Sequence, residues 1–406
     1  MNNKVIVLGL GYIGLPTAAL FASNGTHVIG VDINKNVVDV VNRGEIHINE
    51  PELGKIVSEV VSKGYLSASL TPSIADVYII VVPTPFKNNF EPDLSNVESA
   101  INSILNFLKP GDLIIIESTS PIGTTENIAK HIFSNKPELF GDIYIAYCPE
   151  RVLPGNIMFE LVNNDRVIGG FDTISAHKAI AFYTKYIKGK LIATNARTAE
   201  MCKLVENSYR DIQIAFANEI SIICDEAKID TWKLIQFANM HPRVNILNPG
   251  IGVGGHCIAV DPYFIISAFP DISKLISTAR NVNEKKKIWT INKINNTLKL
   301  FFEKQSRKPT IALLGLTYKN DVNDIRQSPA IDILKEVVKF DLYENIYISD
   351  PNLNDANFEY TLTDYNYSIE NSDIIFVLVN HKEFINIKRK DKLIINFSTS
   401  NIENND

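Results

Sequence analysis

The sequence predicts an α/β protein: two parallel-sheet domains joined by a long central helix. Three observations carry this. Short apolar runs alternate with helical stretches over the first 190 residues, a long stretch without Gly or Pro follows from Arg197 to about Ala227, and the alternation resumes after Arg307. Alternating β and α units of this size imply a parallel sheet covered on both faces.

The first domain, residues 1–195, is predicted to hold strands at Val5–Leu8, His27–Val31, Val77–Val82, Leu113–Glu117, Ile143–Ala146 and Arg166–Ile168. Helices are predicted at Ile13–Ser23, Asn36–Arg43, Leu94–Leu108 and Thr124–Phe133. The middle segment, 196–305, carries the long helix and a second from about Ile272 to Glu303. Between them lies a loop with Pro242, Pro249, Gly250, Gly252, Gly254 and Gly255. In the third segment, 306–406, the βα alternation runs through Thr310–Leu314, Ile331–Val338, Ile346–Ile348, Ile374–Val379 and Leu393–Asn396, before a polar tail expected to fray. No internal repeat is evident beyond the return of the βα pattern.

The 406 residues are 45% hydrophobic and 21% charged, ordinary for a globular protein. A net charge of −6 gives no reason to expect nucleic acid, whose phosphates call for a clustered basic surface. No apolar run reaches the roughly 18–20 residues of a membrane span, and the strand-like start has no signal-peptide layout, so a cytoplasmic protein is expected. The four cysteines, Cys148, Cys202, Cys224 and Cys257, have no CxxC spacing and read as thiols of a reduced compartment. The scattered histidines give no zinc signature, and no metal is expected.

Gly9, Gly11 and Gly14 form G-L-G-Y-I-G directly after the first strand, ahead of a helix. Glycines there permit a tight turn and let a pyrophosphate approach the backbone at a helix N-terminus. The second strand ends at Asp32, about 20 residues on, where a carboxylate accepts from ribose hydroxyls and repels a 2′-phosphate. The expected cofactor is NAD, and both sheet domains read as Rossmann-like.

The stretch Gly250-Ile-Gly-Val-Gly-Gly-His-Cys-Ile-Ala-Val-Asp261 is dense in glycine around one thiol. That density suggests a backbone packed close to a ligand. Cys257 then reads either as a nucleophile with a lowered pKa or as a buried thiol in a tight turn. Lys203 and Asn207 are four residues apart on one helical face, a pattern more usual on a solvated face.

Together the segments G-L-G-Y-I-G-L-P, V-P-T-P, E-S-T-S-P-I-G-T, C-P-E-R-V-L-P-G, T-A-E-M-C-K-L-V-E-N, H-P-R-V-N-I, G-V-G-G-H-C-I-A-V-D-P and G-L-T-Y-K-N-D-V-N-D-I-R-Q-S-P-A closely resemble the UDP-glucose/GDP-mannose dehydrogenase family, over about residues 3–395. Within it, E-I-H-I-N-E-P, C-P-E-R-V-L-P-G and G-G-H-C-I-A-V-D-P resemble the branch acting on UDP-N-acetyl-D-mannosamine. The resemblance implies an NAD-dependent four-electron oxidation of that UDP-N-acetylhexosamine at C6, from alcohol through aldehyde to acid, for surface polysaccharide precursors.

It also implies roles. Cys257 matches the nucleophile, Lys203 and Asn207 the groups that stabilise charge on the C6 oxygen, and Asp261 a proton acceptor beside a bound water. Glu150 matches the residue of thioester hydrolysis, and Thr119 one that positions water or substrate. Gly9, Gly11, Tyr12, Ile13, Gly14, Asp32, Pro83, Thr84, Thr119 and Arg326 match cofactor contacts. Glu150, Arg151, Val152, Lys203, Asn207, Arg243, His256 and Lys319 match substrate contacts, with Arg243 reaching the partner of a homodimer.

Val260 departs from the Lys of the glucose and mannose branches, in keeping with a hexosamine substrate. Asn396 and Phe397-Ser-Thr-Ser400 depart from the family's usual ending. UDP-N-acetylglucosamine and UDP-glucose stay open as substrates. From other classes, a nucleotide-sugar-binding protein without turnover would not need Cys257, Lys203, Asn207 and Glu150 together, and a two-electron hydroxyacid dehydrogenase would need no cysteine.

Overall fold

The structure, a computed structural model, describes residues 4–398 except 49, 88, 89, 154, 256, 354–357, 386, 388 and 390. His256 and the polar tail 401–406 thus lie outside the described residues. The chain divides into two compact units, Met1–Val205 and Glu206–Asp406.

The first unit is an eight-stranded sheet of β1 (Lys4–Leu8), β2 (His27–Val31), β3 (Leu66–Ser69), β4 (Val77–Ile80), β5 (Leu113–Ile116), β6 (Tyr144–Tyr147), β7 (Arg166–Gly170) and β8 (Leu191–Asn195). Their order is β3-β2-β1-β4-β5-β6-β7-β8, parallel throughout except where β7 runs against β6. The central strands VYII and LIII are buried at every position, as expected where helices cover both faces. Alternation sorts β1 between two cores: Val5 and Val7 join one face, Ile6 and Leu8 the other.

The covering helices are α1 (Gly14–Ser23), α2 (Lys35–Asn42), α3 (Leu53–Ser62), α4 (Ser95–Ile104), α5 (Thr124–Asn135), α6 (Ile157–Asn163) and α7 (Thr173–Tyr183). Asn34 caps α2 and Asp172 caps α7 through their side chains. The predicted strand ends at Val82 and Glu117 leave the sheet: the Val82 N–H donates to the Ser118 hydroxyl at 2.9 Å, and Glu117 turns into a buried polar cluster.

The division between units falls inside the 32-residue helix α8 (Ala196–Ala227). The second unit continues with α9 (Thr231–Ala238), α10 (Asp261–Ala268) and the 32-residue α11 (Lys274–Gln305). A four-stranded parallel sheet follows, ordered β10-β9-β11-β12, of β9 (Thr310–Leu314), β10 (Asn345–Ser349), β11 (Ile374–Val377) and β12 (Leu393–Asn396). Helices α12 (Pro329–Val337) and α13 (Tyr365–Asn371) accompany it.

The two sheets repeat one local device. In the first unit the Gly9 N–H donates to the Val31 carbonyl at 2.8 Å and the Leu10 N–H to the Asp32 carboxylate at 2.9 Å. In the second the Gly315 N–H donates to the Ser349 carbonyl at 2.9 Å and the Leu316 N–H to the Asp350 carboxylate at 2.7 Å. V-L-G-L-G-Y at 7–12 and L-L-G-L-T-Y at 313–318 are thus equivalent, a repeat too short to stand out in the sequence. The second copy is closed: Thr317 replaces the middle glycine, and buried His381 sits 3.0 Å from Asp350.

Candidate active site

Gly9, Gly11, Gly14, Asp32, Pro83, Thr84 and Thr119 all lie at or just past the carboxyl ends of β1, β2, β4 and β5. Strand order reverses between β1 and β4, the place where open α/β sheets bind ligands. The glycines divide their work. A Cβ on Gly9 would stand 2.4 Å from the Val81 carbonyl oxygen, and one on Gly14 only 1.8 Å from that of Gly9. Gly11 faces open space, where a pyrophosphate can approach the backbone. Helix α1 starts there with no side-chain cap, an N-terminus whose dipole suits an anion; Tyr12 and Ile13 are half-buried beside it.

The Asp32 carboxylate accepts from the N–H groups of Leu10 and Asn34, both at 2.9 Å, which aims it beside the turn with lone pairs left for ribose hydroxyls. These residues fit NAD. Two neighbours escaped the sequence reading. Ile33, next to Asp32, is 96% exposed, and the imidazole of His47, an exposed residue, is held below its usual range by partial desolvation, against the opposing pull of Asp32 and the Leu10 backbone. An apolar residue directly after the strand-end acid is a usable signal for the first; the second lies in the E-I-H-I-N-E-P stretch, which resembles the branch motif without singling out its histidine.

The second cluster lies after β6. Lys203, on α8, donates to the Glu150 carboxylate at 3.0 Å and to the Glu150 carbonyl at 2.9 Å, and the Val152 N–H donates to the other carboxylate oxygen at 2.8 Å. The side chains of Lys203 and Glu150 are only 8% and 12% exposed. Lys203 is therefore not part of a solvated face. Burial pushes the Glu150 carboxyl upward, but Lys203, the Val152 N–H and Arg166 outweigh it and hold it below the usual range. Arg151 and Val152 are half-buried beside it.

Two acids of the same motifs are structural. Glu200 receives the Gly123 and Thr125 N–H groups at 2.6 and 2.8 Å and so caps α5. Glu117 accepts from Arg166 at 3.2 Å and from the Tyr183 hydroxyl at 2.5 Å in full burial. Cys148 beside them has its thiol pushed up to about 11 by burial, which removes it as a nucleophile.

In the second unit Cys257 is half-buried at the approach to α10. Its carbonyl accepts from the N–H groups of Val260 and Asp261 at 3.0 and 2.8 Å. Asp261, buried, opens α10 and accepts from the Asn207 amide at 2.5 Å. Two of the glycines here make a close approach to the chain itself. A Cβ on Gly254 would stand 2.6 Å from the Gln327 carbonyl oxygen and 2.7 Å from Tyr318, and one on Gly255 2.9 Å from the Tyr318 ring. The glycines clamp the cysteine loop against the 318–329 segment.

The Gly255 N–H also donates to the Arg326 carbonyl at 3.1 Å. The Arg326 guanidinium is held by Asp324 at 2.6 Å, and Lys319 and Arg243 are exposed.

A switch-point glycine turn with an acid at the end of the next strand fits a dinucleotide-dependent enzyme. Three models of the UDP-glucose/GDP-mannose dehydrogenase family match the chain: its NAD binding domain at residues 3–187, its central domain at 197–285 and its UDP binding domain at 312–399. The chain belongs to this family, and its cofactor is NAD. It is 48% identical over 404 residues to the UDP-N-acetyl-D-mannosamine dehydrogenase of Yersinia pestis, covering 96% of each. It is 49% identical over 409 residues to that of Campylobacter jejuni, covering 97% of this chain and 98% of the relative. Among solved structures, the UDP-D-ManNAc dehydrogenase of Pyrococcus horikoshii superposes with a TM-score of 0.87 at 38% identity, covering 98% of this chain and 95% of that one. No described helix is long and apolar enough to cross a membrane.

Proposed function

We propose that this enzyme oxidises the C6 alcohol of UDP-N-acetyl-D-mannosamine to the carboxylate in two steps, as a cytoplasmic supplier of surface polysaccharide precursors. The observation that carries the reading is the clamped loop that presents Cys257 four residues before the Asn207–Asp261 pair, in a chain about half identical to relatives bearing that substrate's name.

Bound NAD supplies the hydride acceptor for both oxidations. Lys203 stabilises negative charge on the C6 oxygen as the alcohol loses its proton, and Asp261 takes that proton through water. An aldehyde is a poor hydride donor. Addition of the Cys257 thiolate to C6 makes a thiohemiacetal, which restores a C–H bond next to an oxyanion that Lys203 and Asn207 stabilise. Loss of the second hydride leaves a thioester. Water held by Glu150 and Thr119 then cleaves the C–S bond, releasing the carboxylate and the thiol. Arg151, Val152, His256 and Lys319 are assigned to substrate contacts, and Arg326, with Pro83 and Thr84, to the cofactor.

UDP-N-acetyl-D-mannosamine is expected to exceed UDP-glucose at least tenfold in kcat/KM, which needs only about 1.4 kcal/mol of differential transition-state binding. Reduced-cofactor absorbance across a panel of UDP-sugars reads this. Equal turnover of UDP-glucose contradicts it, and a preference for UDP-N-acetylglucosamine moves the assignment to the C2 epimer.

A homodimer is proposed on the middle segment, 196–305. Tyr209, Phe216 and Ile223 recur every seven residues on α8 and are 60%, 50% and 54% exposed, an apolar stripe that asks for a partner. Arg243 is assigned to the partner's substrate. Light scattering is expected to give twice the 45.4 kDa chain mass and Phe216→Glu to lower it; a fully active monomer contradicts the assignment.

A further inference from the structure

The seam between α8 and α11 is polar where long helices ordinarily interlock apolar side chains. Asp211, Asn218, Arg280 and Asn283 are all 2% exposed or less. They form one chain of hydrogen bonds. Arg280 and Asn283 donate to the same Asp211 oxygen at 2.7 and 2.8 Å, and the Asn218 amide donates to the Asn283 oxygen at 2.9 Å. The Asn218 oxygen in turn accepts from the Gly250 N–H at 2.9 Å.

Replacing buried ionic groups by apolar ones of similar volume is often neutral or stabilising, so stability alone is a weak account of this seam. What it has, and apolar packing lacks, is direction, because it ends on the two flanks of the cysteine loop. Ahead of Cys257 it grips the backbone at Gly250. Behind Cys257 the Arg280 guanidinium lies 5.5 Å from the Tyr263 ring centroid on α10, two residues past Asp261.

We propose that Asn218 is a positioning residue for Cys257, fixing the start of loop 250–257 so that the thiol captures the aldehyde before it escapes. This rests on the reading of Cys257 as the nucleophile. The consequence is a partition as well as a rate. The first oxidation needs no thiol and the second does, so a loosened loop releases UDP-sugar aldehyde after one hydride has left.

The experiment supplies limiting UDP-N-acetyl-D-mannosamine with excess NAD and hydroxylamine, then counts reduced NAD per sugar and the aldehyde oxime by mass. Wild type is expected to give two and little oxime; Asn218→Ala is expected to fall toward one, with matching oxime. The ratio does not depend on how much protein is folded, so a merely destabilised enzyme still gives two. Asn283→Ser, which shortens the group that orients the Asn218 amide, is the second variant and is expected to fall likewise. Ser221→Ala is the control: Ser221 accepts from Lys286 at 2.7 Å in the same seam and donates to the Asn218 main-chain carbonyl at 2.6 Å, not to the side-chain amide that holds Gly250, and it should keep two. A ratio of two in both Asn variants overturns the proposal. A wild-type ratio of one overturns the Cys257 reading beneath it instead.

Discussion

Cys257→Ser is expected to cut steady-state turnover by at least about a thousandfold, equivalent to roughly 4 kcal/mol of activation free energy. A serine hydroxyl is a weaker nucleophile than a thiolate near neutral pH and a worse leaving group when water attacks the acyl intermediate. The first oxidation needs no thiol, so a slow burst of reduced NAD should survive. The fold should hold, because the residue is half-buried and the replacement is smaller. Cys148, Cys202 and Cys224 serve as controls. Their serine variants should keep most activity, although a hydroxyl at fully buried Cys148 costs some stability. Wild-type turnover by Cys257→Ser, with two reduced cofactors per sugar, would mean that the thiol is structural.

Lys203→Met is expected to lower kcat about 10²–10³-fold, the range seen when one oxyanion donor is removed. It also leaves the Glu150 carboxylate poorly compensated in a largely closed pocket, at a stability cost of about 3–5 kcal/mol. Glu150 is held low because Lys203 and its other partners outweigh burial. A carboxylate with a depressed folded-state pKa contributes stability above its unfolded value and loses it as pH falls through the folded one. Without Lys203 the burial effect gains weight, and the Glu150 pKa rises. The acid limbs of both stability and residual activity should therefore move to higher pH. Thermal melts and kcat/KM across pH read this. An unchanged acid limb would show that the Lys203 contact does not set the ionisation of Glu150.

The alternation of strands and helices was legible because the central parallel strands are uninterrupted apolar runs, as in LIII of β5. The edge strands β3 and β8 were missed for the opposite reason: LSAS and LIATN lie at or near a sheet edge, half-exposed, and carry no apolar run. Helix α10 was hidden behind the cysteine loop, where Asp261-Pro262 reads as a turn yet places Pro in the first turn of the helix.

In the site, Gly9, Gly11, Gly14 and Asp32 could be read because the cofactor turn is local in sequence. The Lys203–Glu150 contact joins residues 53 apart, and a lysine on a polar-looking helix gives no sign that its ammonium is buried. Cys257 was legible as unusual, but the sequence did not show that its glycines accommodate Tyr318 and Gln327 of the chain itself. The polar seam was invisible for a related reason. Asp211, Asn218, Arg280 and Asn283 have the composition of a solvated face, and only the pairing of α8 with α11 shows them buried.

The central claim is a four-electron oxidation of one sugar by one thiol-bearing enzyme. The measurement that tests it most directly is the stoichiometry of purified wild-type protein given limiting UDP-N-acetyl-D-mannosamine and excess NAD, with the product identified by mass. Two reduced cofactors per sugar, and a product heavier than the substrate by one oxygen and lighter by two hydrogens, is the predicted result. One reduced cofactor per sugar with an accumulating aldehyde, or no reduction of NAD at all, would contradict it.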